Sequence, residues 1–263
     1  MKSNTIKYGF TLIEIMIVIG IIAMLAALTL GISSSVMRNA EKRKTQDVLQ
    51  LLTVALQEWE LEKGRSITFD GYEPEMAPDP NGGWTLGHYD IYRNEYEVIQ
   101  APQFSEQGVL NALMNVAMET RMESLVDVFM QSEGAKDILS KMTSDIFIEH
   151  DHGTYSRKLV VDAWGTPIGI VFPGRPYFDV NPNGSSFDAA FDDCGDGTVR
   201  DEAEDGLGSC INARPYFVSA GPDRTWGYRS QSNDQNSTPD NDAWVASTDN
   251  LYSYEPYLEE SAR

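Results

Sequence analysis

The amino-acid sequence predicts an α+β fold: one long N-terminal helix, then a head in which helices and loops precede a strand-rich C-terminal part. Three observations predict it. An apolar run over 10–32 carries a single charge, Glu14. It passes without a proline into a stretch of helical periodicity that reaches position 63. After position 162, short β-branched and aromatic runs appear between Gly and Pro.

The apolar run comes first. Its 23 residues, as a helix, span roughly 34 Å at about 1.5 Å per residue, enough for a bilayer core. A secretory signal peptide has a shorter apolar region that ends at a small-residue cleavage site, whereas here Ala26 and Ala27 are followed by more apolar sequence. A carboxylate inside a membrane span is costly and marks function, which singles out Glu14.

The helix continues beyond the run. Val48, Leu51, Leu52, Ala55 and Trp59 fall on one helical face, with Lys44, Gln46, Asp47, Gln50, Gln57 and Glu58 on the others. Gly64 is the expected stop. The reading is one helix over 10–63, apolar all round in its first half and amphipathic in its second, with the second half packed against the head. Positions 65–103 are rich in loop punctuation, with candidate strands at 89–92 and 95–99. Helical spacing returns over 105–131, where Met114, Met118 and Met122 are expected in the core, and a short helix is expected over 135–142. Strands are expected over 168–172 and 216–219.

Charge narrows the function. The 263 residues hold 20 Lys+Arg against 40 Asp+Glu, a formal charge of −20. The first 32 positions carry only Lys2, Lys7 and Glu14. So acidic a chain excludes a nucleic-acid partner, which needs clustered Lys and Arg, and fits cation binding.

The segment Gly9-Phe10-Thr11-Leu12-Ile13-Glu14, followed by the apolar run, resembles the processing site of type IV pilins and of type II secretion pseudopilins. The resemblance implies a leader over 1–9, cut after Gly9 by a prepilin peptidase. Phe10 becomes the methylated N-terminus, and Glu14 pairs with the Phe10 amine of a neighbouring subunit. Tyr8 stands where family leaders usually place Lys or Arg. Loss of Lys2 and Lys7 with the leader takes the formal charge from −20 to −22. The implied fold is pilin-like: the long helix, transmembrane over 10–32, packed on a small antiparallel sheet in a head over 64–263.

The C-terminal part deepens the likeness to major pseudopilins. Trp164, Gly165 and Pro167 match their Asp-Pro-Trp-Gly-Asn-Pro segment, while Ala163 and Thr166 depart from it. The stretch Tyr216-Phe217-Val218-Ser219-Ala220-Gly221-Pro222-Asp223 matches their aromatic strand, and the stretch from Thr248 to Tyr254 resembles their closing piece. Positions of about 70–158 and 179–213 look like insertions. In that family the closing loop binds Ca²⁺. The likeness carries most directly onto Asp223, Asp249 and Asn250, with Asp240 and Asp242 in the longer intervening loop. The alternative is a solvated acidic loop without metal.

Other candidates have plainer readings. Asp179, Asn181, Asn183 and Gly184 imitate the start of an EF-hand loop, but its twelfth position holds Ala190 instead of Glu. Cys194 and Cys210, with 15 residues between them, read as one local disulfide in an exported protein. His88, His150 and His152 read as surface loop residues and not as a zinc site. No nucleophile elbow, phosphate loop or paired-carboxylate constellation stands out, so no catalytic residue and no enzymatic activity are expected.

The functional expectation is therefore a structural subunit of a type II secretion pseudopilus or a type IV pilus-like filament. Its implied partners are the prepilin peptidase, other pilin or pseudopilin subunits and an inner-membrane assembly platform, with no organic cofactor. It would cross the inner membrane once, with the N-terminus cytoplasmic and the head periplasmic or extracellular. Charge counting alone opposes this orientation, because Arg38, Lys42, Arg43 and Lys44 outnumber Lys2 and Lys7. The other reading is an exported binding protein or enzyme that borrows a pilin-type anchor.

Overall fold

A computed structural model describes residues 12–69, 90–91, 107–151, 153, 156–176, 198–200, 202–227 and 247–257. Within these, the side chains at 26–35, 107–113, 115, 116, 199, 202, 205 and 247 fall outside the description. Gly9, Phe10, His88, His152, Cys194, Asp240, Asp242, the 95–99 strand and positions 89 and 92 of the 89–92 strand also lie outside it.

The chain is α+β, and contacts divide it into two compact units, Met1–Arg43 and Lys44–Arg263. Helix α1 is Leu12–Lys63. In the first unit its described apolar side chains stand exposed, from Leu12 (78%) to Leu25 (58%).

In the second unit the amphipathic part of α1 buries Val48, Leu49, Leu52, Ala55, Leu56 and Trp59. The buried stripe is wider than the sequence pattern predicts: Leu49 and Leu56 join it, and Leu51 is only half-buried. Gly64 ends the helix at φ 69°, its N–H donating to Glu60 O (2.8 Å). Such a left-handed stop is cheap for glycine. Just beyond it, the Arg65 guanidinium donates to both carboxylate oxygens of Asp90 (2.5 and 2.7 Å) and lies 5.3 Å from the Trp59 ring centroid. Burial pushes the Asp90 carboxyl up, but Arg65 and the two Thr68 bonds outweigh it, and the net shift is downward.

Helices α2 (Gln107–Phe129) and α3 (Glu133–Ser140) follow. Ser132 caps α3 by accepting the Ala135 N–H, and its own hydroxyl donates to Glu62 of α1 (2.6 Å). Strands β1 (Phe147–Asp151) and β2 (Ser156–Val160) form an antiparallel hairpin, with Phe147 opposite Val160. The sequence pattern does not reveal this hairpin. Of its ten residues only Leu159 and Val160 are buried, so there is no apolar alternation to read. Polar contacts hold it to α2: His150 Nδ1 lies 2.6 Å from Glu123 Oε1, and Arg157 lies 3.2 Å from Asp127. His150 is thus a strand residue against a buried carboxylate, not a loop histidine.

The central sheet has three antiparallel strands in the order β3–β6–β7: β3 (Gly169–Val171), β6 (Tyr216–Ser219) and β7 (Leu251–Tyr252). Two further short strands, β4 (Arg175–Pro176) and β5 (Thr198–Val199), pair with each other ahead of α4 (Glu202–Leu207). Strands β3 and β6 are buried throughout. Ile170 and Phe217 join the α1 cluster, while Val171, Tyr216 and Val218 join a second cluster with Met114, Met118 and Trp226. The methionine series is core, as its spacing predicts. Gly169 is where Met118 crosses β3: a Cβ there would meet Met118 Sδ at 2.6 Å.

One carboxylate organises the turn before β3. Asp162 is buried (3%). It accepts the N–H groups of Trp164 and Thr166 (both 2.9 Å) and the Ser219 hydroxyl (2.7 Å). Burial pushes its carboxyl above the ordinary range, against the lowering effect of these bonds. Replacing Asp162 with Ala strands two amides and is expected to cost about 3 kcal/mol, read by chemical denaturation. A raised folded-state pKa means that stability grows as pH falls through it and levels off below the ordinary carboxylate value. Acidification should therefore stabilise the native chain relative to Asp162→Asn.

Candidate functional sites

Two regions carry the sequence-predicted sites. The first is the start of α1. Glu14 lies in the first turn of α1, where the helix dipole favours a negative charge. It is exposed, and so are its neighbours Ile13 (66%) and Ile15 (50%). Among the described residues no helix is long and apolar enough to cross a membrane. Within the 10–32 run the described side chains are those of 12–25, and the side chains at 26–32 fall outside the description.

The second region lies beside the central sheet. After β6 the chain turns through Gly221 (φ 76°), Arg224 (φ 62°) and Gly227 (φ 65°). Gly221 faces Asp249 so closely that a Cβ would stand 2.6 Å from the Asp249 carbonyl oxygen and 3.1 Å from its Cγ. Asp223, two residues on, accepts the Thr225 N–H (2.8 Å), and partial burial pushes its carboxyl up.

On the facing segment, a 3₁₀ turn at Ser247–Asp249 leads into β7. The Asn250 amide donates to Trp226 O (2.6 Å) and to the Tyr252 hydroxyl (3.3 Å). Those bonds fix the amide, and its Oδ1 is buried with no hydrogen-bond donor among the described residues. Asp249 Oδ1 is likewise shielded from solvent. The structure thus brings Asp249 against the Gly221 turn and Asn250 against Trp226. Asp240 and Asp242 lie outside the described residues, and among those described no group of three His, Cys, Asp or Glu is placed to hold a metal ion.

Cys210 is half-buried between α4 and β3. Its N–H donates to Glu204 Oε1 (2.8 Å), and its Sγ lies 3.6 Å from Val171 O. The disulfide expectation falls on Cys194, outside the described residues. Nearby, burial pushes the Tyr254 phenol up, and its hydroxyl donates to Arg214 O.

Pattern reading missed several polar residues that hold these sites. Thr45 accepts the Ala163 N–H (3.1 Å), Asp162 holds Ser219, and the Ser219 hydroxyl accepts the Gly221 N–H (3.1 Å). The available signal was Thr45 on the apolar face of a helix, where a hydroxyl needs a partner.

Residues 6–30 match the prokaryotic N-terminal methylation motif, the type IV pilin and pseudopilin signal. Such a signal implies processing by a prepilin peptidase, membrane anchoring and assembly with other pilin subunits. No curated protein and no solved structure matches the chain.

The glycine geometry separates two costs. At Gly221 a side chain meets both a positive φ and the Asp249 backbone, whereas at Gly165 (φ 83°) nothing lies within 4 Å. Gly165→Ala is expected to cost about 1–2 kcal/mol of backbone strain, and Gly221→Ala measurably more. Urea midpoints for the two variants check the order. Equal losses would show that the approach of Asp249 to the turn is not a constraint.

Proposed function

We propose that this chain, which begins with a pilin-type methylation signal, is a structural subunit of a type II secretion pseudopilus or type IV pilus-like filament. The observation that carries the reading is the motif at 6–30, with Glu14 in the first turn of a helix whose described apolar side chains are all exposed through Leu25. A side-chain array of that kind is suited to bilayer lipid before assembly and to neighbouring helices after it. Cleavage after Gly9 exposes the Phe10 amine, and Glu14 is the carboxylate that pairs with it in the next subunit. A charge in an apolar phase is tolerable only with a counter-charge, so the pair sets the subunit stagger. The 10–32 segment spans the inner membrane, with the N-terminus cytoplasmic and the head exported. The work of the chain is packing and display, not catalysis.

Glu14→Ala is expected to leave cleavage and methylation intact, read by intact mass, while filaments disappear from sheared-cell fractions. Filaments at native abundance in that variant would remove Glu14 from the assembly step. A native mass that still includes residues 1–9 would remove the processing step.

The same reading assigns Ca²⁺ to the loop between β6 and β7. The donor set fits a hard cation: carboxylates at Asp223 and Asp249, the buried Oδ1 of Asn250, and the Asp240 and Asp242 carboxylates between them. Burial that pushes the Asp223 carboxyl up is the kind of cost a cation offsets. Asp223, Asp240, Asp242, Asp249 and Asn250 would hold the ion, which would neutralise their charge and so favour the folded loop. At a tenfold excess of free Ca²⁺ over Kd the full chain in detergent should gain about 1.4 kcal/mol. That corresponds to a Tm rise of about 3–6 °C, reversed by chelator and absent in Asn250→Leu. An unchanged Tm with and without chelator would remove calcium from the reading.

A further inference from the structure

Beyond the apolar run in sequence, α1 carries Arg38, Lys42 and Arg43, all exposed. None of the three has an ion-pair partner among the described residues. Their neighbours are engaged: Lys44 pairs with Asp145, and Glu41 takes part in an interaction of its own. The contrast matters because acid outnumbers base two to one in this chain. Every acidic residue except Glu14 and Glu41 lies within 44–263. Three exposed cations therefore stand close together on one stretch of helix, with Glu41 among them and Asp47 the next carboxylate along it. Arg38 and Lys42, four apart, share a face, and Arg43 projects round the side, which makes a collar instead of a stripe.

Their distance along the helix has a physical meaning. Leu12 to Arg38 is about 39 Å at about 1.5 Å per residue, close to the full bilayer thickness of about 40–45 Å with headgroups. Lys42 and Arg43 lie about one turn further, and their long stems reach back toward the interface. Guanidinium forks match phosphate oxygens, and an ammonium group adds a point charge.

We propose that Arg38, Lys42 and Arg43 bind the phosphates of anionic phospholipid headgroups where α1 leaves the membrane. The proposal rests on the membrane-anchored reading above. It also gives a purpose to a basic flank that, on the exported side, works against the charge rule for orientation and so carries a cost. A second copy of the chain is the competing occupant, since its head is acidic. Lipid is favoured because the collar follows the apolar run on the same helix.

The test uses the full-length chain in phosphatidylcholine vesicles that contain trace spin-labelled phosphatidylglycerol or spin-labelled phosphatidylcholine. Electron spin resonance reads the motionally restricted fraction of each label. The native chain is expected to favour phosphatidylglycerol, by up to about fivefold for each cation, with the preference shrinking as salt rises. The triple variant Arg38→Gln, Lys42→Gln, Arg43→Gln should bind both labels equally, while Lys136→Gln, on α3, should keep the native preference. Equal restriction of both labels by the native chain, or an unchanged preference in the triple variant, overturns the headgroup proposal and leaves anchoring intact. Restriction of neither label overturns the anchoring reading with it. Loss of cross-linked oligomers in the triple variant, with no lipid preference in the native chain, assigns the collar to a second copy and overturns the proposal.

Discussion

The head depends on one buried carboxylate. Asp162 fixes the turn 163–166 by taking two of its amides, and it reaches across to the hydroxyl of Ser219 at the end of β6. The same turn is tied to α1, because Ala163 N–H donates to Thr45. Three elements distant in sequence therefore meet at one short stretch: the helix, the entrance to β3 and the exit of β6. Ser219 then accepts the Gly221 N–H, so the turn that faces Asp249 inherits its position from Asp162. The upward push on the Asp162 carboxyl shows the cost of this arrangement. It is accepted because unmade bonds to buried amides cost as much or more.

A sheet of three short strands, the longest of four residues, does not bury enough surface to organise a head alone. Helices and side-chain polar contacts complete it. Arg121 lies over the Phe69 ring (4.6 Å) and reaches Ile170 O (3.5 Å), and Phe69 stacks on Phe172 (4.6 Å). The segment after α1 is held by Asp90 and Arg65, the start of α3 by Glu62, and the β1–β2 hairpin by Glu123 and Asp127. These contacts give direction where apolar packing alone leaves register loose.

What was legible in the sequence follows from this division of labour. The long helix, the methionine face of α2 and the buried strands β3 and β6 announce themselves because apolar periodicity encodes burial. The β1–β2 hairpin was illegible because Glu149, His150, Arg157 and Lys158 replace the alternation that would have marked it. Asp162 was visible only as the first residue of a turn segment, since no local pattern says that a carboxylate will be buried and receive three donors. At the candidate cation loop the residue types were legible, but the seating of Asn250 depends on the Trp226 carbonyl, 24 positions away.

Among the described residues, the start of α1 has no apolar cover. Eleven large apolar side chains between Leu12 and Leu25 are at least half exposed. At about 1.5–3 kcal/mol for each side chain buried, their transfer out of water amounts to tens of kcal/mol, more than the 5–15 kcal/mol that holds a typical domain together. An apolar surrounding would recover that energy, and on the proposed reading bilayer lipid and neighbouring helices both provide one. Glu14 distinguishes the two. A carboxylate in lipid is costly without a counter-charge, and on the proposed reading each added subunit brings one Phe10 amine for one Glu14. On that reading, the carboxylate that is costly in a membrane anchor is the group that makes leaving the bilayer for a filament favourable, one subunit at a time.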